Sequence, residues 1–218
     1  MCGRFSFAAS DRIIEDHFGI IPGETAYEPR YNCAPSQKLA VISSEAPAVI
    51  SYMKWGLIPF WAKDISIGNK LINAKAETLM EKPSFRPSFF HKRCLVPADG
   101  FYEWKQDKEK IPYRIMMKDD SLFAMAGLWN RWNDAEGKNI DSFTIITTAA
   151  NGLMQPIHHR MPVILGLREY KTWLGSSSSE TLLSLLKPYP EDRMKAFPVS
   201  KLVNSPVNDF IQLTEAVE

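Results

Sequence analysis

The chain has little of what would place it in several large classes at once. No apolar run approaches the roughly 20 residues that a membrane-spanning helix needs, so no membrane partner is expected. The first 15 residues are polar and carry Asp11 and Glu15, unlike a secretory leader. Only three cysteines occur, Cys2, Cys33 and Cys94, far apart and in no Cys-x-x-Cys pairing. An odd, scattered set argues against a disulfide framework or a zinc site and fits a reducing cytoplasm. Neither charge sign dominates: 26 Lys and Arg stand against 25 Asp and Glu, a formal net charge of +1. Any anion-binding surface must therefore be a local patch. No repeat period is visible, and the serine run at 176–179 is too short to link domains.

What is present is an ordinary globular composition. At 218 residues, 45% hydrophobic and 23% charged, the chain suits one large domain. Aromatics at 11% and 15 prolines point to irregular, loop-rich β structure. Ser10 followed by "DRIIEDHFG" predicts a helix, with Ser10 as cap, Ile13, Ile14 and Phe18 at helical spacing, and Gly19 as the stop. Strand signals lie at 39–43 and 48–55, and a short helix is predicted over 74–80. From Arg93 onward strands crowd together: "RCLVPA", "FYEWK", "IPYRIMM", "LFAMAGLW" and "SFTIITT". The polar "QDKEK" at 106–110 reads as a hairpin loop. Helices return at "REYKTWL" and "SETLLSLL", the second capped from the serine run. No βαβ alternation occurs, so a single α+β domain spanning 1–218 is predicted. Its core would be a mostly antiparallel curled sheet or β-barrel-like closure, with peripheral helices.

The chain opens "MCGRF", and Cys2 is small enough to permit removal of the initiator methionine. The mature chain would then start with a thiol and an α-amine on one carbon skeleton. An α-amine titrates near 7.7–8.0, so roughly a tenth to a fifth is neutral at pH 7, against well under a thousandth of an ordinary lysine. Such an amine condenses with an aldehyde, and the thiol can close a five-membered thiazolidine. The competing reading makes Cys2 a small buried hydrophobe near a strand start.

Three other segments can complete a site. In "LINAKAET", Asn73 stands at a strand-to-helix junction, where a helix cap is the alternative. In "PADGFYEWK", Glu103 lies between Tyr102 and Trp104 after an Asp99-Gly100 turn; if the aromatics face one way, it faces the other. A carboxyl group among apolar neighbours can move protons; an outward carboxylate is the alternative. In "QPIHHRMP", adjacent histidines on extended backbone should point oppositely, so at most one shares a site with Cys2, and the pair is a poor metal motif. "WGLIPFW" places Trp55, Phe60 and Trp61 near Lys63, Lys70 and Lys75. These are the ingredients of single-strand nucleic-acid binding, or simply core aromatics with solvated lysines. Arg4 stands two residues from the nucleophile and can hold an anion there.

Taken with "RYNCAP", "CLVPADGFYEW", "ITTAA", "IHHRMPVIL" and "FPVSKLVNSPVND", these segments resemble the SOS response-associated peptidase (SRAP) family over nearly the whole chain. The resemblance implies an SRAP-like fold and a protein that finds abasic sites in single-stranded DNA and crosslinks to them covalently. It assigns Cys2, Asn73, Glu103 and His158 as catalytic. It places Arg4, Asn32, Trp61, Lys75 and Arg160 along the DNA. No cofactor or metal is implied, and the protein is expected to be a cytoplasmic monomer, nucleoid-associated when bound. The implied activity is a DNA–protein crosslinking or lyase-type one that shields the lesion. Lys75, Ala62, His159 and Met161 depart from residues common in the family, which bears on DNA affinity more than on the covalent chemistry. Two rival activities use the same cysteine: a cysteine autopeptidase removing its own initiator methionine, and an N-terminal-cysteine amidotransferase-like hydrolase. In a third rival, a non-covalent single-strand binding module, Cys2 is incidental.

Overall fold

One indole joins the two sheets of the molecule. The wholly buried Trp55 ring lies 5.3 Å from Phe5 of one sheet and 6.1 Å from Phe143 of the other. The computed structural model describes residues 2–20, 27–106, 109–134, 136–137 and 139–217. Strand β1 (Arg4–Phe7) leads to helix α1 (Asp11–Phe18), followed by β2 (Arg30–Cys33), β3 (Lys38–Ser43), β4 (Ser51–Trp55) and β5 (Asn73–Lys75). Helix α2 (Arg86–His91) precedes β6 (Arg93–Ala98), β7 (Gly100–Gln106), β8 (Lys110–Met117), β9 (Phe123–Asn133) and β10 (Asn139–Ala149). Short β11 (Arg160–Pro162) and β12 (Ile164–Leu165) lead to α3 (Tyr170–Leu174), α4 (Ser179–Ser184) and β13 (Met194–Pro198).

The strands β13-β8-β7-β1-β2 form an antiparallel sheet. In the second sheet β10, β4, β3, β6 and β9 close into a ring through the β9–β10 pairing, with β5, β11 and β12 attached. Closure removes the unpaired edges that an open sheet would expose. This is the barrel-like core with peripheral helices that the strand spacing implied. The sheet is mixed rather than uniform, because β4 and β5 run parallel to β10. No βαβ unit announces those pairs, since several other strands intervene in sequence between β4 or β5 and β10.

Local details follow the sequence unevenly. Gly19 ends α1 in the left-handed conformation (φ 63°), its N–H donating to Glu15 at 2.8 Å. Ser10 occupies the cap position with extended backbone but makes no side-chain capping bond, and Ile13 is 53% exposed rather than part of the core. The serine run does supply a cap, with Ser178 Oγ accepting from Thr181 N–H at 3.2 Å. "REYKTWL" begins as a 3₁₀ turn (Leu167–Glu169) before α3. The strand expected over 48–55 starts only at Ser51. Strands β7 and β8 form the expected hairpin, Gln106 opposite Lys110; residues 107–108 of its loop lie outside the described residues. The helix expected over 74–80 is absent: Asn73–Lys75 pairs with β10, and only a 3₁₀ turn (Ala76–Thr78) follows. Backbone groups already committed to a ladder cannot also close helical turns.

Gly56 sets the geometry next to the site. Its φ of 123° suits glycine, and a Cβ there would stand 2.6 Å from the Gly68 carbonyl oxygen. This close approach folds the 56–71 segment back on β4 and delivers the chain into β5. Among the described residues no helix is long and apolar enough to cross a membrane.

Candidate active site

The site lies where the two sheets meet at the chain's beginning. Arg4 of β1 pairs with Tyr102 of β7, so the residues before Arg4 run alongside those after Tyr102. Cys2 is completely buried. From β5 of the other sheet, Asn73 Nδ2 donates to the Cys2 backbone carbonyl at 2.9 Å. The Asn73 side-chain oxygen is buried and has no hydrogen-bond donor. The strand β5, not a helix cap, thus holds the asparagine.

Glu103 reaches the same place by strand alternation. Tyr102 packs outward with Val199, Val203 and Leu213, with Trp104 against that cluster. Glu103 turns to the opposite face and is 5% exposed, which removes the reading of a solvated carboxylate. Its charge is felt by both neighbours. Burial, then the Glu103 charge, pushes the Cys2 thiol up to about 12. Both effects favour the neutral thiol over the thiolate. Burial also lowers the pKa of His158 below the usual imidazole value, with Glu103 pulling the other way.

The backbone Arg160 N–H donates to His158 Nδ1 at 3.0 Å, and this contact puts the ring proton of neutral His158 on Nε2. The Arg160 carbonyl lies at a longer 3.3 Å from the same nitrogen. The two histidines do not point apart: their rings stack at 4.3 Å and 26°. The expectation of opposite directions assumed extended backbone, but 152–157 is a continuous turn and His158 N–H donates to the Met154 carbonyl. Among the described residues no group of three or more His, Cys, Asp or Glu could hold a metal ion.

Residues expected along DNA fall into different surroundings. Half-buried Arg4 donates from Nη1 to Asn32 Oδ1 and to the Val203 carbonyl, both at 2.8 Å, and lies 5.9 Å from the Trp104 ring. Asn32 is fully buried, its amide facing the carbonyls of Val203, Ser205 and Asn208 at 3.3, 3.0 and 2.7 Å. It holds the C-terminal segment in place and presents nothing to solvent. The aromatic run divides: Trp55 is core, whereas Phe60 and Trp61 are 64% and 47% exposed. Lys75 is exposed at the end of β5. Arg160 lies on β11 with its guanidinium on Glu77. Of the departing positions, Ala62 and Met161 are buried; the Ala62 carbonyl accepts from Trp132 Nε1 at 2.7 Å, so both positions bear on packing rather than on a binding face.

Sequence reasoning missed Glu77 and Thr147. Glu77 stands two residues from Lys75 in a quoted segment, but its partner is 83 positions away, and nothing local marks the pairing.

A family model described as SOS response associated peptidase matches residues 1–206. The chain is 51% identical to the abasic site processing protein YoqW of Bacillus subtilis (strain 168), over 99% of this chain and all of that one. It is 32% identical to the abasic site processing protein HMCES of Xenopus tropicalis, over 88% of this chain and 67% of that one. A protein of Bacteroides thetaiotaomicron of known crystal structure superposes with a TM-score of 0.90 at 33% identity, covering both chains fully.

Proposed function

The chain belongs to the SOS response associated peptidase family, and on that premise we propose that it captures abasic sites in single-stranded DNA as a covalent thiazolidine on Cys2. The observation that carries this reading is the convergence of three groups from distant strands and a turn on the first residue of the mature chain. Asn73 holds the Cys2 carbonyl, and Glu103 acts electrostatically on both the Cys2 thiol and His158.

The chemistry balances without cofactor or redox partner. Once the initiator methionine is gone, the neutral Cys2 amine adds to the open-chain sugar aldehyde, and loss of the carbonyl oxygen as water leaves an imine. The sulfur then bonds to the imine carbon while its proton passes to the nitrogen, closing the ring. A thiol held neutral does not compete with the amine for the aldehyde in the first step. Glu103 is suited to take the S–H proton and return it to nitrogen, a transfer worth about 100-fold or more in rate. Neutral His158 offers an Nε2–H to the ring oxygen of the sugar as it opens. Asn73 orients the Cys2 backbone, and its vacant carbonyl oxygen is available to the new amine.

The peptidase of the family's description ranks second. An intermolecular peptidase or amidotransferase needs an attacking thiolate, and burial with Glu103 drives Cys2 the other way. Removal of the chain's own initiator methionine is the form of that activity which the site can accommodate. The test is incubation with single-stranded DNA bearing one abasic site. The wild type should give a band that survives denaturing electrophoresis, and Cys2→Ala should give none. An undiminished band from Cys2→Ala would overturn the assignment, and glutamate released from glutamine would favour the hydrolase instead.

A further inference from the structure

Glu77 occupies the guanidinium fork of Arg160. Its carboxylate takes both terminal nitrogens of Arg160, Nη1 to Oε1 at 2.6 Å and Nη2 to Oε2 at 2.8 Å. The same Nη2 also donates to the Thr147 carbonyl at 2.7 Å. This planar two-pronged arrangement is the one an arginine offers to a phosphate. The Arg160 hydrogen bonds, with a lesser contribution from the charge of Lys75 two residues away, hold the Glu77 carboxyl below the usual carboxylate range. An acid thus stands between two of the cations assigned to the DNA backbone. The exposures differ in a telling way: the Arg160 side chain is 11% exposed and that of Glu77 52%. The carboxylate is the solvent-facing lid over a largely buried guanidinium, and Arg160 Nε remains buried without an acceptor.

We propose that Glu77 is a specificity-determining residue that stands in for a backbone phosphate on Arg160, so that undamaged single strands bind weakly and only a covalent partner is retained. A strand must displace the carboxylate before Arg160 can take its phosphate, and two anions cannot share one guanidinium without repulsion. Binding to any intact strand therefore loses one phosphate contact. An abasic strand loses the same contact but is secured by the bond to Cys2. Both strands are weakened alike without the bond, so the covalent link alone decides which of them is kept. This inference rests on the DNA-capture reading, but its test does not use the lesion.

The experiment measures fluorescence anisotropy of an undamaged single-stranded oligonucleotide across a salt series, for the wild type, Glu77→Gln, Arg160→Gln and the double variant. Releasing one phosphate contact should tighten Glu77→Gln binding about fivefold at low salt and steepen the log–log salt slope by about 0.7. In the Arg160→Gln background the same change should give no gain, because the fork it frees is missing. Equal or weaker binding by Glu77→Gln would overturn the proposal and make Glu77 a brace for Arg160. A full gain in the Arg160→Gln background would also overturn it, by assigning the effect to local charge alone. Failure of the wild type to crosslink abasic DNA would sink the capture reading while leaving these binding results to stand or fall separately.

Discussion

Two asparagines, both expected at the site from sequence, teach what separates a structural polar cluster from a chemical one. Asn32 is saturated: its amide faces three carbonyls of the C-terminal segment and its oxygen takes Arg4. Asn73 is half used: its amide holds the Cys2 carbonyl, and its oxygen is buried with no donor. The surroundings differ in the same sense. Around Asn32 the partners are backbone carbonyls and the Arg30–Asp209 ion pair at 2.5 Å, all fixed. Asn73 instead holds Cys2, whose thiol feels the charge of Glu103, and the same charge acts on His158. A buried polar group with spare capacity costs stability unless something arrives to use it, which supports placing the proposed chemistry at Asn73.

The comparison can be broken by substitutions on each side. The largest effect belongs to Cys2→Ala, which should abolish the denaturation-stable adduct, as read on a gel. Glu103→Gln and His158→Ala should still form it but about 100-fold or more slowly; single-turnover capture at normal rates would remove them from the proton-transfer role. Next come the asparagines themselves. Asn32→Ala strips several carbonyls of their donor and should cost about 1–3 kcal/mol, a fall of roughly 2–12 °C in Tm for a chain of this size. Asn73→Ala should melt nearly as the wild type yet capture DNA more slowly. The reverse pattern would collapse the distinction.

A smaller effect should appear in acid. His17 and His158 are both held below the ordinary imidazole value by burial, so below about pH 6.5 the unfolded chain takes protons that the folded one refuses. The Glu77 carboxyl, held low by Arg160, adds a second loss at lower pH, since the unfolded group protonates first. Thermal melting between pH 7.5 and 5 should show the Tm falling with pH; a rise on acidification would contradict the direction of these shifts.

Much of this was legible in the residues. Alternation along "FYEWK" put Glu103 on the opposite face from Tyr102 and Trp104, and dense strand signals after Arg93 pointed to a curled sheet or a barrel without choosing between them. The helix expected over 74–80 failed because propensity cannot see that β10 claims Asn73–Lys75. The histidine pair was misjudged because it directly follows a turn rather than lying on a strand. Asn32 drew notice as a binding residue, yet the carbonyls that hold its amide lie more than 170 positions away, beyond the reach of any local pattern. What could not be read was partnership at long range, and that is what distinguishes Asn32 from Asn73 and couples Glu77 to Arg160.

The central claim is that the α-amine and thiol of a liberated Cys2 together seal the sugar aldehyde. Intact mass spectrometry of protein before and after reaction with an abasic oligonucleotide tests it most directly. The account predicts that reactive protein begins at Cys2 and that the adduct weighs the sum of its parts less one water, with no gain from borohydride because no imine persists. Adduct formed at full yield on protein that still carries Met1 would contradict it.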